Sequence, residues 1–123
     1  MIVLVDTSVW IDHQRGLAPH LTDLLAREEA AIHSGIIGEL ACGSLADRAS
    51  YMRFLRRLPQ VSSASDSEVL FFLEVHQLFG RGAGFVDLHI LTAASINRVP
   101  LWTHDLRLAK LAAQLNVPYM PMP

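Results

Sequence analysis

Apolar residues fall along the chain in short blocks of two different periods. Residues 2–5, IVLV, are an unbroken apolar run rich in β-branched side chains, the pattern of a parallel strand covered on both faces. AAIHS (30–34) is a second candidate strand and VPLWT (99–103) a third. Helical patterns cover residues 19–29, with Pro19 in the first turn, then 35–45, 47–58 (stopping at Pro59), 85–98 and 105–115. Ser65 and Glu68 form an S-x-x-E capping box that opens another helix, SEVLFFLEVHQLF, which GRGAG (80–84) ends. Short apolar strands alternating with helices predict a three-layer α/β sandwich around a parallel sheet. GRGAG follows a helix and has no lysine, so it is no phosphate-binding loop.

At 123 residues the chain fits a single domain, 1–123. With 51% apolar and 18% charged residues it is not a disordered chain, and it has more apolar surface than a small monomer easily hides. A homo-oligomer or a bound partner is therefore expected. No apolar run reaches the length of a membrane span or resembles a signal peptide, so a cytosolic location is expected. The lone cysteine, Cys42, excludes an internal disulfide framework and a thiolate zinc site, and is expected to be a small buried hydrophobe. A net charge of -2 offers nucleic acid no general attraction; such a partner needs a local basic patch or metal ions.

Most of the twelve acids lie where water is expected. Four do not. Asp6 and Asp105 each follow an apolar strand at its carboxyl end, the edge of a parallel sheet where ligands bind, although helix capping accounts for either one taken singly. Asp87 shares a helical face with Ile90, Leu91 and Ala94, which puts a carboxylate on the core side. Glu39 lies at the margin of the stripe Ile36, Ile37, Leu40 and Ala41, with Gly43 leaving room beside it; alone, it reads as an edge residue. If the four converge, each pair at 4 Å repels by roughly 4 kcal/mol at an effective dielectric near 20. Only a cation makes such a cluster tenable; otherwise some acids hold protons. All-oxygen donors suit Mg²⁺ or Mn²⁺, which keep waters and open positions fit for phosphodiester hydrolysis. Ser8 and Thr103, beside Asp6 and Asp105, can orient ligands or waters, or serve as turn and cap hydroxyls.

VDTSVWID at the N-terminus, IIGEL at 36–40, GFVDLHILTAA at 84–94 and LWTHDLRL at 101–108, in this order and across the whole chain, resemble the PIN-domain ribonucleases, in particular the VapC toxins of bacterial toxin–antitoxin pairs. The resemblance implies an α/β/α PIN-like domain with a parallel four- or five-stranded sheet. It also implies an acidic pocket that binds Mg²⁺ or Mn²⁺ and cleaves RNA as an endoribonuclease. By motif position the family's acids fall on Asp6, Glu39, Asp87 and Asp105, with Asp6 and Asp87 as the main metal ligands. A homodimer and a small antitoxin that blocks the pocket are implied as well.

Arg53, Arg56 and Arg57 share one face of their helix, a spacing that suits RNA phosphates as well as a solvated surface. His89 points away from Asp87 on the helix, and the six histidines contain no H-x-x-x-H pair, which disfavours zinc. Two other classes compete. A receiver-like phosphoacceptor needs an acceptor aspartate and a late lysine after strands, whereas Glu39 and Asp87 lie on predicted helices and Lys110, the single lysine, is inside the last one. A non-catalytic binding module on the same fold is opposed by the full set of acids.

Overall fold

The structure, a computed structural model, describes residues 1–121. Its centre is strand β1 (Val3–Val5), whose three side chains are wholly buried, as the unbroken apolar run predicts. β2 (Ala30–Ala31) and β3 (Leu101–Trp102) flank it in the order β2-β1-β3, all parallel, with Val3 opposite Ala30 and Val5 opposite Trp102.

The sheet is smaller than the four or five strands expected. Beyond its edges the ladder continues, among the described residues, only as single parallel bridges, Ile32 to Gln60 and Leu101 to Pro118. Pro59 lies in the outer segment beside β2, and a proline has no N–H with which to extend that ladder toward Ala30.

Among the described residues seven helices surround the sheet: α1 (Thr7–Gln14), α2 (Pro19–Ala26), α3 (Ser34–Ala41), α4 (Arg48–Arg57), α5 (Asp66–Val75), α6 (Phe85–Asn97) and α7 (Leu106–Gln114). They complete an α/β/α sandwich. The capping box at Ser65 and Glu68 is formed as the sequence predicts. α1 was not signalled by the hydrophobic pattern, because only Val9 and Trp10 are buried on it. Trp10 fastens it to the sheet by donating its indole N–H to the Val5 carbonyl at 3.0 Å. α6 runs through the core, burying Leu88, Ile90, Leu91, Ala93 and Ala94. Cys42 is exposed rather than buried, because it falls at the C-cap of α3, past the last core residue of that helix, Leu40. Among the described residues no helix is long and apolar enough to cross a membrane.

From β1 the chain crosses to β2 on one side, and then returns past β1 to β3 on the other. The crevice between the carboxyl ends of β1 and β3 is thus the point where the strand order reverses, the usual binding place in an open parallel sheet.

Candidate functional site

Asp6 leaves β1 in that crevice and is 5% exposed, one of three polar residues buried among those described. Its backbone takes the N-cap position of α1, but its side chain makes no capping bond. Helix capping, which would account for Asp6 taken singly, is therefore not what its side chain does. Its Oδ2 instead accepts two hydroxyl protons, from Ser8 at 2.8 Å and Thr103 at 2.7 Å. A hydroxyl has one proton to give. With those protons directed at Asp6, the oxygens of Ser8 and Thr103 accept the backbone N–H groups of His104 and Asp105, both at 3.0 Å. The network holds one oxygen of Asp6; Oδ1 accepts no hydrogen bond among the described residues.

Asp105, three residues past the end of β3, does cap its helix: Oδ1 accepts the N–H groups of Arg107 at 2.9 Å and Leu108 at 3.3 Å. The turn between β3 and α7 is pinned a second time by His104, whose Nδ1 lies 2.5 Å from Asp12 of α1. Sequence reasoning passed over Asp12, and nothing in its spacing distinguishes it from a solvated helix acid.

Glu39 is exposed on α3, and its Oε1 accepts the hydroxyl proton of Thr7 at 2.7 Å, which ties it to the residue following Asp6. Thr7 was also missed; its place beside Asp6 is the one signal that marks it. Asp87 sits half-buried in the first turn of α6, where the Gly84 N–H reaches its Oδ2 at 3.4 Å. Burial pushes the Asp87 carboxyl above its ordinary range. The Gly84 N–H opposes that rise, and the negative charges of Asp6, Glu39 and Asp105 add to it. Asp87 thus feels the other three acids.

Among the described residues no three His, Cys, Asp or Glu side chains stand close enough to clasp one metal ion together. The four acids expected to converge are therefore not brought together as one chelating cluster among the described residues. The donors around the crevice are all oxygens.

Arg53, Arg56 and Arg57 are exposed on α4. Arg57 lines a groove with Leu25, Glu28, Ala30 and Pro59, where β2 begins, at the opposite end of the strands from the acids. His89 is engaged with Asp66 of α5, Nε2 to Oδ1 at 2.8 Å.

The fold is shared with a solved structure, that of PAE2754 from Pyrobaculum aerophilum, with a TM-score of 0.57 over 97% of this chain and 88% of that one at 21% sequence identity. No family model matches the chain. Among characterised proteins it is similar to Ribonuclease VapC32 of Mycobacterium tuberculosis, in strains CDC 1551 / Oshkosh and ATCC 25618 / H37Rv, at 39% identity over 117 residues, 94% of each chain. With that identity along nearly its whole length, the chain belongs to the VapC family of PIN-domain ribonucleases.

Proposed function

We propose that the protein is a metal-dependent endoribonuclease, the toxin of a toxin–antitoxin pair, which hydrolyses RNA phosphodiester bonds at Asp6, Glu39, Asp87 and Asp105. The observation that carries this is the 39% identity, over 94% of both chains, to a protein named as a ribonuclease. What supports it is that the charges of Asp6, Glu39 and Asp105 add to the rise that burial causes in the Asp87 pKa, as acids within electrostatic reach of one another do.

Asp6 and Asp87 are the proposed principal ligands of Mg²⁺ or Mn²⁺, with Glu39 and Asp105 completing the site through bridging waters. A bound ion supplies Lewis acidity, offsetting charge at the phosphodiester and making water a better nucleophile. The chain's own residues do the positioning. Ser8 and Thr103 hold one oxygen of Asp6 and leave the other free for a ligand. Thr7 turns Glu39 toward the same crevice. Asp105 keeps its remaining oxygen available while Oδ1 caps α7. A water attacks phosphorus, one phosphorus–oxygen bond breaks, and the leaving oxygen takes a proton.

Arg53, Arg56 and Arg57 are proposed as contacts for RNA remote from the cut. A homodimer is proposed through the outer side of α5 and the turn after it, where Leu70, Phe71, Val75 and Phe79 are all more than half exposed. A small antitoxin is the proposed second partner.

The test is digestion of RNA by the purified protein with Mg²⁺ or Mn²⁺. Cleavage should stop on chelation and be absent in Asp6→Asn and Asp87→Asn. Undiminished cleavage by wild type in excess EDTA would overturn the proposal.

A further inference from the structure

A cleft of about 360 Å³ opens between the last turn of α1 and the end of α3, and the hydrolytic scheme above makes no use of it. Glu39 forms part of its wall, so whatever fills the cleft lies beside one of the four acids. Gly43 and Ser44, in the turn after α3, contribute another part; this is the room that the glycine near Glu39 suggested. Ile11, Leu40 and Leu45 supply an apolar lining. The single cation in the lining is Arg15, at the C-cap of α1.

Two features make this a place for an anion attached to a flat apolar group. The guanidinium of Arg15 makes no hydrogen bond or ion pair among the described residues; the contacts that acids make there take a histidine or the chain's amino group, never an Arg or Lys. A guanidinium left free has five donors in a planar fork that matches phosphate. The size also fits: pockets for small ligands begin near ~300 Å³, which suits one nucleotide and excludes a duplex. Gln14, on the same wall, is held by the hydrogen bond its side-chain N–H donates to the Tyr51 hydroxyl at 3.0 Å.

Charge favours RNA as the occupant. A polyanion crossing a crevice of acids, on a protein of net charge -2, needs a positive contact at the flank, and Arg15 is the cation beside Glu39. We propose that this cleft is the subsite for the nucleotide next to the scissile bond, with its phosphate on Arg15 and its base on the apolar lining. The proposal rests on the ribonuclease reading and deepens it.

The experiment uses the full chain. Digestion of total bacterial RNA followed by primer extension supplies a cut transcript, and that transcript, made in vitro, is the probe. Steady-state cleavage is measured for wild type, Arg15→Ala, Arg15→Lys and Arg27→Ala, the last removing the same charge from an exposed position near the start of β2. Arg15→Ala should raise KM about tenfold with kcat within about twofold, because it removes uniform binding. Arg15→Lys should recover part of the loss, and Arg27→Ala should match wild type. The salt dependence of log KM should weaken by about 0.7 in Arg15→Ala, the value for one single-strand phosphate contact. Equal losses in Arg15→Ala and Arg27→Ala, or an unmoved KM, overturn this inference alone. Weakened antitoxin binding by Arg15→Ala with RNA kinetics unchanged also overturns it, and assigns the cleft to the antitoxin. A wild type that cuts no RNA overturns the ribonuclease reading and this inference with it.

Discussion

Strands β1 and β3 each lead to an aspartate at the N-cap position of the next helix, Asp6 directly and Asp105 after two further residues, but the two carboxylates are engaged differently. Asp105 gives one oxygen to the backbone of α7, as an acid at that place ordinarily does. Asp6 gives none to α1 and is gripped by two side-chain hydroxyls instead, one of them, Thr103, from the other junction. The difference teaches that the same sequence signal, an apolar strand and then an acid, covers two physical situations. At β3 folding alone accounts for the acid. At β1 it does not: a 5% exposed carboxylate that caps nothing and needs two hydroxyls to hold it is a cost without a structural return.

Asp6→Asn tests this contrast hardest. The amide keeps an acceptor for both hydroxyls, so the melting temperature should hardly move, while cleavage should fall by more than about 100-fold, beyond the usual cost of losing a group that merely supports a metal ligand. A cleaving Asp6→Asn would return Asp6 to the structural class. At the other junction two variants separate the roles. Asp105→Asn preserves the cap and should melt like wild type, whereas Asp105→Ala should lose about 1 kcal/mol of stability. Cleavage should fall equally in both. If Asp105→Asn cleaves like wild type, capping is the whole function of Asp105.

The hydroxyls that couple the junctions come next. Thr103→Val keeps the shape and removes the proton donated to Asp6, and should lower cleavage about 10- to 100-fold at constant substrate, with a higher Mg²⁺ requirement. A loss that added Mg²⁺ does not relieve would place the effect of Thr103 elsewhere than on Asp6.

Asp87 sharpens the contrast in a different way. Its raised pKa means that the ionised form disfavours the native state: the contribution of Asp87 is fully present below the ordinary value of 3.8 and is lost as pH rises through the higher folded value. In EDTA at neutral pH Asp87→Asn should therefore melt above wild type. In Mg²⁺ at about a hundred times its Kd wild type should gain about 2.7 kcal/mol and the order should reverse. Equal melting curves in both conditions would remove the destabilisation that burial, with the charges of Asp6, Glu39 and Asp105, places on the ionised Asp87, and with it the stabilisation expected of the ion.

How far these features were legible in the sequence follows from their range. Local signals carried through: the capping box at Ser65, the covered strand Val3–Val5, and the core side of the Asp87 helix, marked by Ile90, Leu91 and Ala94. Of the four acids only Asp87 sits oddly within its own segment; capping or an edge position accounts for Asp6, Asp105 and Glu39 taken singly, and it is the motifs taken together that single out all four. What the chain could not announce were contacts made across it: Thr7 to Glu39, Asp12 to His104, and Thr103 to Asp6, which are 32, 92 and 97 positions apart. Helix α1 escaped notice because tertiary packing of Trp10, not periodicity, holds it. Beside β2 the outer segment stays a single bridge at Gln60, because Pro59 has no N–H to give the next rung, an effect that apolar patterning does not register.

The third junction, after β2, ends in a histidine, and predicts the smallest effect. His33 is the N-cap of α3, and its Nδ1 accepts the Gly35 N–H at 2.9 Å. That bond leaves the proton of the neutral ring on Nε2, which is buried without a partner. Burial, followed by the charge of His89, holds the His33 pKa below its ordinary 6.5. As pH falls below that value the unfolded chain takes up a proton that the native chain still refuses, so the stability His33 contributes is full above it and is lost as pH falls through the lower folded pKa. His33→Asn keeps an acceptor for the cap and cannot titrate. Urea midpoints measured from about pH 7 to pH 5 should therefore fall more steeply for wild type than for His33→Asn, with cleavage at neutral pH unchanged. Parallel curves would mean that the ring finds a partner for Nε2 in solution. A loss of cleavage in His33→Asn would mean that all three junctions serve the chemistry, and the contrast between an acid that caps and an acid that binds metal would then be too narrow.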